Sequence, residues 1–364
     1  MIILRHKLTA PSYMFLVIAL FWLLCLLCSR PSICDNLSGD YVSRDRTSCI
    51  NGIFIWIVFI CHLNSYCQDW LVWDTYIVRG IGLIGQMCVA TFFFYSGFGI
   101  MLSLLNKKKD YARALLFRRF PALLLHFAIA VCCFWCLQTA IGHKYDLITI
   151  LLSLIGWESL GNSNWFIFVT LSSYIIIALT YALFRRHGQK IFLFSLFVFF
   201  TLFSILIRYK GFWWVDTIYC IPAGMAYAAY KNKFESLMPG SAKMRIIVSL
   251  FILAASVCIY QKGFLHWYIS HNLASVAFAF AITLASSAIV FRRHSRFLCW
   301  CGGSGLFCLY IFQRIPMIVG GGLGAAPIVY QAICILCTLL IAYVASLVLK
   351  QMDRIVFKSK LTTK

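Results

Sequence analysis

The sequence predicts an all-α fold, a polytopic transmembrane helical bundle of ten core spans with one possible further span at the N-terminus. Three observations predict it. First, 62% of the 364 residues are hydrophobic and only 12% are charged, against about half and a quarter in a soluble domain. Second, continuously apolar runs of roughly 20 residues, the length that crosses a bilayer as a helix, recur along the whole chain. Third, those runs lack the period-2 alternation of barrel strands, and in hydrocarbon only helices or a closed barrel pair every backbone amide.

In chain order the core spans read as 50–68, 81–103, 120–141, 164–184, 191–208, 215–230, 246–261, 273–291, 297–319 and 326–349. An earlier run, 12–28, follows Arg5 and Lys7 and precedes Arg30, Arg44 and Arg46. It is read as an eleventh span with its start outside, an interfacial helix being the alternative. The stretch 147–157 is too short to span and too apolar for a loop, which suits an interfacial or re-entrant helix. Residues 1–49 thus form an N-terminal hydrophobic segment with a polar loop, 50–350 the transmembrane domain, and 351–364 a basic tail. No tandem repeat or matched pair of broken halves is visible, which counts against a transporter.

The net charge of +21 does not point to nucleic acid, because the cations cluster between apolar runs. The connections 104–119, 185–190, 231–245 and 292–296 with the tail 350–364 hold 21 Lys and Arg, while the alternate connections hold 5. By the positive-inside rule the first set, and the C-terminus, are expected to be cytoplasmic. The 17 cysteines lie mostly inside apolar runs, where they behave as small hydrophobes, so no metal site is expected even at the Cys133–Cys136 pair. Cys34 and Cys49 flank a polar loop and could pair only in an oxidising compartment.

Ionisable groups inside spans are costly and commonly functional. Here they are His62, His126 and Arg314, with Arg118 and Arg119 at a helix mouth and Glu158 beside the short outer helix. His62 lies twelve residues beyond Ile50, about 18 Å into a core of about 30 Å, past the midplane. Its imidazole suits a general base near neutral pH, or a histidine satisfied by a helix-to-helix hydrogen bond. His126 reads better as structural. Arg118 and Arg119, just before Pro121, could grip phosphates bidentately or serve topology by snorkelling to headgroups.

The order of these features resembles the acyltransferase-3 superfamily of bacterial integral membrane acyltransferases, from residue 50 to about 350. The resemblance rests on Asn51-Gly52, Val58 and His62 in the first core span, then Ser96 and Gly97 in FFFYSGFGI. Arg118, Arg119 and Pro121 follow, with Asn164, Trp165 and Tyr174 in NSNWFIFVTLSSY and Gly224 in PAGMAYAAYK. Gly303, Ser304, Tyr310, Gln313, Arg314 and Pro316 complete it. Asn51 departs from the pattern, which has a basic residue there.

The resemblance implies transfer of an acyl group, expected to be acetyl, from acyl-CoA to a hydroxyl of a cell-surface polysaccharide or its lipid-linked precursor. The setting it implies is the bacterial plasma membrane, with lipid as neighbour, no metal and no nucleic acid, and a homo-oligomer compatible. His62 is the expected base, an acyl-histidine intermediate being a variant. Arg118 and Arg119 would meet the donor phosphates. Asn164, Tyr310, Gln313 or Arg314 would hold the oxyanion or orient the imidazole, with Asn51, Ser96 and Glu158 in support. Trp165 and the Trp213–Trp214 pair offer flat faces for a sugar, although the latter pair also suits an interfacial aromatic belt. A glycan or lipid transporter or flippase is the competing class. A purely structural subunit would have no need of His62 and Arg314 within the bilayer.

Overall fold

The computed structural model describes residues 31–35, 41–66, 72–262, 266–291, 295–321 and 327–357. The run 12–28 lies outside them. The elements are, in order, β1 (Pro31–Ile33), α1 (Arg44–Asn64), α2 (Val72–Ala114), a π-helical turn at Leu115–Arg119, α3 (Phe120–Ala140), α4 (Leu147–Leu154) and α5 (Trp165–Phe184). They continue with α6 (Gln189–Ile207), α7 (Cys220–Ala229), α8 (Lys231–Ser236), α9 (Ala242–Lys262), α10 (Trp267–Ala288) and β2 (Ile289–Phe291). The last are α11 (Arg296–Gly302), α12 (Leu306–Phe312), α13 (Arg314–Gly320) and α14 (Pro327–Val356).

The protein is all-α and polytopic. Its only pairing of strands among the described residues is a short antiparallel ribbon, with Pro31 opposite Phe291. Seven helices among the described residues are long and apolar enough to cross a membrane, or eight when α11 and the α12–α13 rod are taken as one span bent by 64°. One of the seven is the stretch Gly80–Ala140, kinked at Lys108 where the backbone turns to φ 48°, and it holds the expected span 81–103 and all but the last residue of 120–141. The expected span 215–230 is corrected: its helix is only Cys220–Ala229, because residues before it form turns around Trp214 to Tyr219. The short helix anticipated at 147–157 is α4, with Leu147, Ile148 and Leu151 exposed.

The bundle is built around α1. Its most apolar window is 72% buried, against 22% in α9 and α14. Ser43 caps its start, accepting from the Arg46 amide. Two helix pairs approach backbone to backbone because the sequence places glycine at the contact. A Cβ at Gly52 would meet the Leu298 carbonyl oxygen at 2.2 Å, and one at Gly302 the Ser48 oxygen at 2.0 Å, which joins α1 to α11. Between α2 and α7, a Cβ at Gly97 would meet the Ile221 oxygen at 2.1 Å and one at Gly224 the Phe94 oxygen at 2.0 Å. Small residues that permit such approach drive helix association where no hydrophobic effect acts.

Other sequence features find structural partners. Cys49 Sγ lies 3.0 Å from Cys299 Sγ, so its neighbour is Cys299 and not Cys34, which stays a free thiol. His126 Nε2 meets Asp353 Oδ1 at 2.8 Å and ties α3 to α14. Arg46, out of register with the family's basic position, is buried and donates from Nη1 to the Ser286 carbonyl at 3.0 Å.

Candidate active site

His62 sits in the last turn of α1, and α1 carries a cavity at each end. At its start, Arg44, Thr47 and Asn51 face a cavity of about 430 Å³, shared with Ser96, Arg119, Tyr174 and Tyr310. At its end, Val58, Cys61 and His62 face one of about 330 Å³, shared with Gln86, Trp165, Trp213, Tyr260 and Tyr310. Tyr310 belongs to both walls. The bend after Gly302 turns the α12–α13 rod inward and buries Tyr310 and Gln313 almost completely.

An aromatic partition separates the cavities. The Phe166 ring lies 4.9 Å from that of Tyr310 and stacks on Phe93 at 4.7 Å, while Trp165 meets Phe93 edge-on at 6.1 Å. The His62 ring lies edge to face with Tyr310, 6.1 Å between centroids. Arg314 acts electrostatically on both rings, and the Gln313 carboxamide neighbours the imidazole. The groups are poised but not consumed: His62 Nδ1, Tyr310 Oη, Gln313 Oε1 and Arg314 Nε are buried with no hydrogen-bond partner. Buried polar atoms without a partner are costly, and a ligand in either cavity could satisfy these four.

The two arginines at the helix mouth part company. Both lie in the π-helical turn. Both are exposed, but Arg119 reaches the 430 Å³ cavity, with its guanidinium over the Tyr111 ring at 5.0 Å, whereas Arg118 lies outside that wall. Further along the same line of α5, a groove of about 750 Å³ collects Lys109, Arg113, Arg185, Arg186 and His187 around Ala178 and Tyr181. Among the described residues none of these five is in an ion pair with a carboxylate. Ile167, Thr170 and Tyr174 line the first cavity while Ala178, Tyr181 and Arg185 line the groove. These positions repeat every three or four residues, one face of a helix.

Other anticipated residues stand apart. The Asn164 amide donates to the carbonyls of Gly156 at 2.9 Å and Glu158 at 3.1 Å, which fastens the loop before α5. Glu158 pairs with Lys210 at 2.9 Å, and Lys210 lies over Trp157 at 4.7 Å. The tryptophan pair divides: Trp213 lines the cavity of His62 and Trp214 is buried against Trp157 and Phe168. Asn51 is 8% exposed with its Oδ1 unpartnered.

Three residues near His62 escaped the sequence reading. Asp216, fully buried, accepts from Gln86 Nε2 at 2.8 Å and from the Tyr260 hydroxyl at 2.5 Å. Its sequence signal was an acid inside the apolar stretch 215–230.

The model of the acyltransferase-3 acyltransferase domain matches residues 48–347. The chain belongs to that family. No curated protein and no solved structure matches it. In this acyltransferase, three of the four glycines that carry the resemblance, Gly52, Gly97 and Gly224, stand at the two backbone contacts. The motif residues His62 and Tyr310 meet at the partition. Where the family pattern has a cation and this chain has Asn51, the same cavity holds Arg44 and Arg119.

Proposed function

We propose that this membrane acyltransferase moves an acetyl-type acyl group from acyl-CoA to a hydroxyl of a cell-surface glycan or its lipid-linked precursor. In this reading the donor enters from the cytoplasmic side, where the basic loops lie. Its phosphates rest on Arg119 and the cationic groove, and its arm runs along α5 to the partition. The acceptor enters the cavity of His62 from the other side. The observation that supports this reading is the sharing of Tyr310 by two cavities at opposite ends of α1, with His62 beside it, its Nδ1 unpartnered.

The chemistry asks little of the protein, since a thioester is already activated. The acceptor hydroxyl attacks the thioester carbonyl as His62 takes its proton. The carbonyl oxygen gains charge, which Arg314 and the Tyr310 hydroxyl stabilise in a dry, preorganised site. The C–S bond then breaks, and the thiolate leaves with the proton held by His62. The products are an O-ester and the free thiol. Bringing two substrates together across a thin partition supplies much of the remaining acceleration.

Membranes containing the protein, incubated with radiolabelled acetyl-CoA and a glycan extract, should yield labelled glycan. The His62→Ala protein, inserted equally well, should yield none. Labelled glycan made by the His62→Ala protein at a tenth of the wild-type rate or more would overturn the base assignment, and no labelled glycan from the wild type would overturn the reaction.

A further inference from the structure

The cavity of His62 differs from the other two in charge. Among the described residues no Lys, Arg, Asp or Glu lines it. Arg314 acts on His62 without lining the wall, and Asp216 stands behind Gln86. The polar groups on the wall are the side chains of Gln86, Tyr260, His62 and Tyr310, interleaved with Trp165 and Trp213.

Hydrogen-bond direction is also set there. Gln86 Nε2 donates to the Trp213 carbonyl at 2.9 Å and to Asp216 Oδ1 at 2.8 Å. A backbone carbonyl only accepts, so the amide cannot be reversed, and both N–H groups are used. Oε1 is what Gln86 has left for a ligand. The Tyr260 hydroxyl donates to Asp216 Oδ2 at 2.5 Å, which leaves its lone pairs. Asp216 thereby turns two wall residues into acceptors. A hydroxyl can donate to both. A carboxylate or phosphate oxygen can donate to neither, and finds no cation among the described wall residues to replace its water.

We propose that this cavity selects an uncharged, hydroxyl-bearing ring, a neutral sugar unit, with Gln86 and Tyr260 as the discriminating contacts and Asp216 as the residue that positions them. The identity of the ring as a sugar rests on the acyltransferase reading above. Its aromatic walls suit the C–H face of a pyranose. Its volume of about 330 Å³ is at the small end of the ~300–1,000 Å³ range of small-molecule sites, enough for one ring and not for an oligosaccharide. Gly82, also on the wall, has nothing within 4 Å of where a Cβ would stand, so a larger side chain there enters the cavity without straining the backbone.

The test measures binding and transfer separately on the purified full-length protein. Calorimetry is run with a panel of methyl hexosides and their matched uronides, which differ only in a carboxylate at C6. A neutral hexoside should bind, its uronide at least tenfold more weakly, and Gly82→Leu should abolish the binding. The Tyr260 ring stacks on His271 with centroids 4.3 Å apart, a contact that Phe can keep, so Tyr260→Phe should weaken the neutral ligand about tenfold through loss of the hydroxyl alone. Asp216→Asn frees Tyr260 to donate, so the preference for hexoside over uronide should shrink severalfold, whereas a merely structural role would weaken both ligands alike. A uronide that binds as tightly as its hexoside, or a preference untouched in Asp216→Asn and Tyr260→Phe, would overturn the proposal. Transfer from labelled acetyl-CoA to the same panel distinguishes the two readings. Selective binding without transfer would sink the acyltransferase reading alone, and equal transfer to both members of a pair would sink this inference alone.

Discussion

The two ends of α1 face different chemistry. At its start the cavity holds two arginines, and the groove beyond it adds Lys109, Arg113, Arg185 and Arg186. At its end the described wall residues carry no formal charge, and Trp165, Trp213 and Tyr310 stand there instead. The difference separates two kinds of recognition. A cationic channel attracts a polyanion and is sensitive to salt. An apolar wall with a few oriented acceptors recognises a neutral polyol by shape and hydrogen-bond direction. Among the described residues Tyr310 and its aromatic neighbours stand between them, so in the proposed reading neither substrate crosses the whole protein.

The largest break in this comparison comes from His62→Ala. General acid–base catalysis contributes roughly 10²–10⁴-fold, so turnover should fall by at least a hundredfold in labelled acyl transfer, with donor binding unchanged. Retention of a tenth of wild-type turnover would remove the base from the account. Gly97→Val is next and acts on the frame that holds both cavities. Its Cβ would meet the Ile221 oxygen at 2.1 Å, and overpacking of this kind costs about 1–3 kcal/mol or more. Thermal unfolding in detergent should shift down, while Gly99→Ala, whose Cβ would meet nothing within 4 Å, should leave it in place.

Arg119→Ala sharpens the contrast between the cavities. A charged hydrogen bond to phosphate is worth roughly 1.5–3 kcal/mol, so donor KM should rise about tenfold or more while acceptor KM stays flat. Lys at this position should restore only part of the loss, since a point charge does not reproduce the planar fork. Arg118→Ala should have the weaker effect because Arg118 stands outside the cavity wall. A rise in acceptor KM instead would reverse the assignment of the two sides. The smallest effect is expected of Glu158→Gln. The carboxylate is 42% exposed, and pairs of that kind contribute about 0–1 kcal/mol, so both KM values should stay within twofold.

Much of this arrangement was legible in the sequence. Apolar run length and the clustering of cations are properties of contiguous residues, and they located nearly every long helix. The segment 215–230 misled because its apolar composition continues through turns that the backbone makes before Cys220. His62 and Arg314 drew attention as ionisable groups in apolar surroundings. Gln86, Asp216 and Tyr260 could not be joined in the same way, since three residues from distant segments meet only through tertiary packing. The distinction between Arg118 and Arg119 depends on the π-helical turn that carries both, and adjacent arginines look equivalent until that turn is known. Asn164 illustrates the converse: a residue in a family motif whose amide is taken up by its own loop.

The central claim is that donor and acceptor reach Tyr310 and His62 from opposite faces. Purified protein is reconstituted into sealed vesicles in one orientation, with an impermeant acetyl-CoA donor and an impermeant neutral glycan each confined to a chosen side. The account requires acylated glycan when the donor is on the face of Arg119 and the glycan on the face of Trp213, and none when the two are exchanged. Product formed equally when both substrates share one side would contradict it.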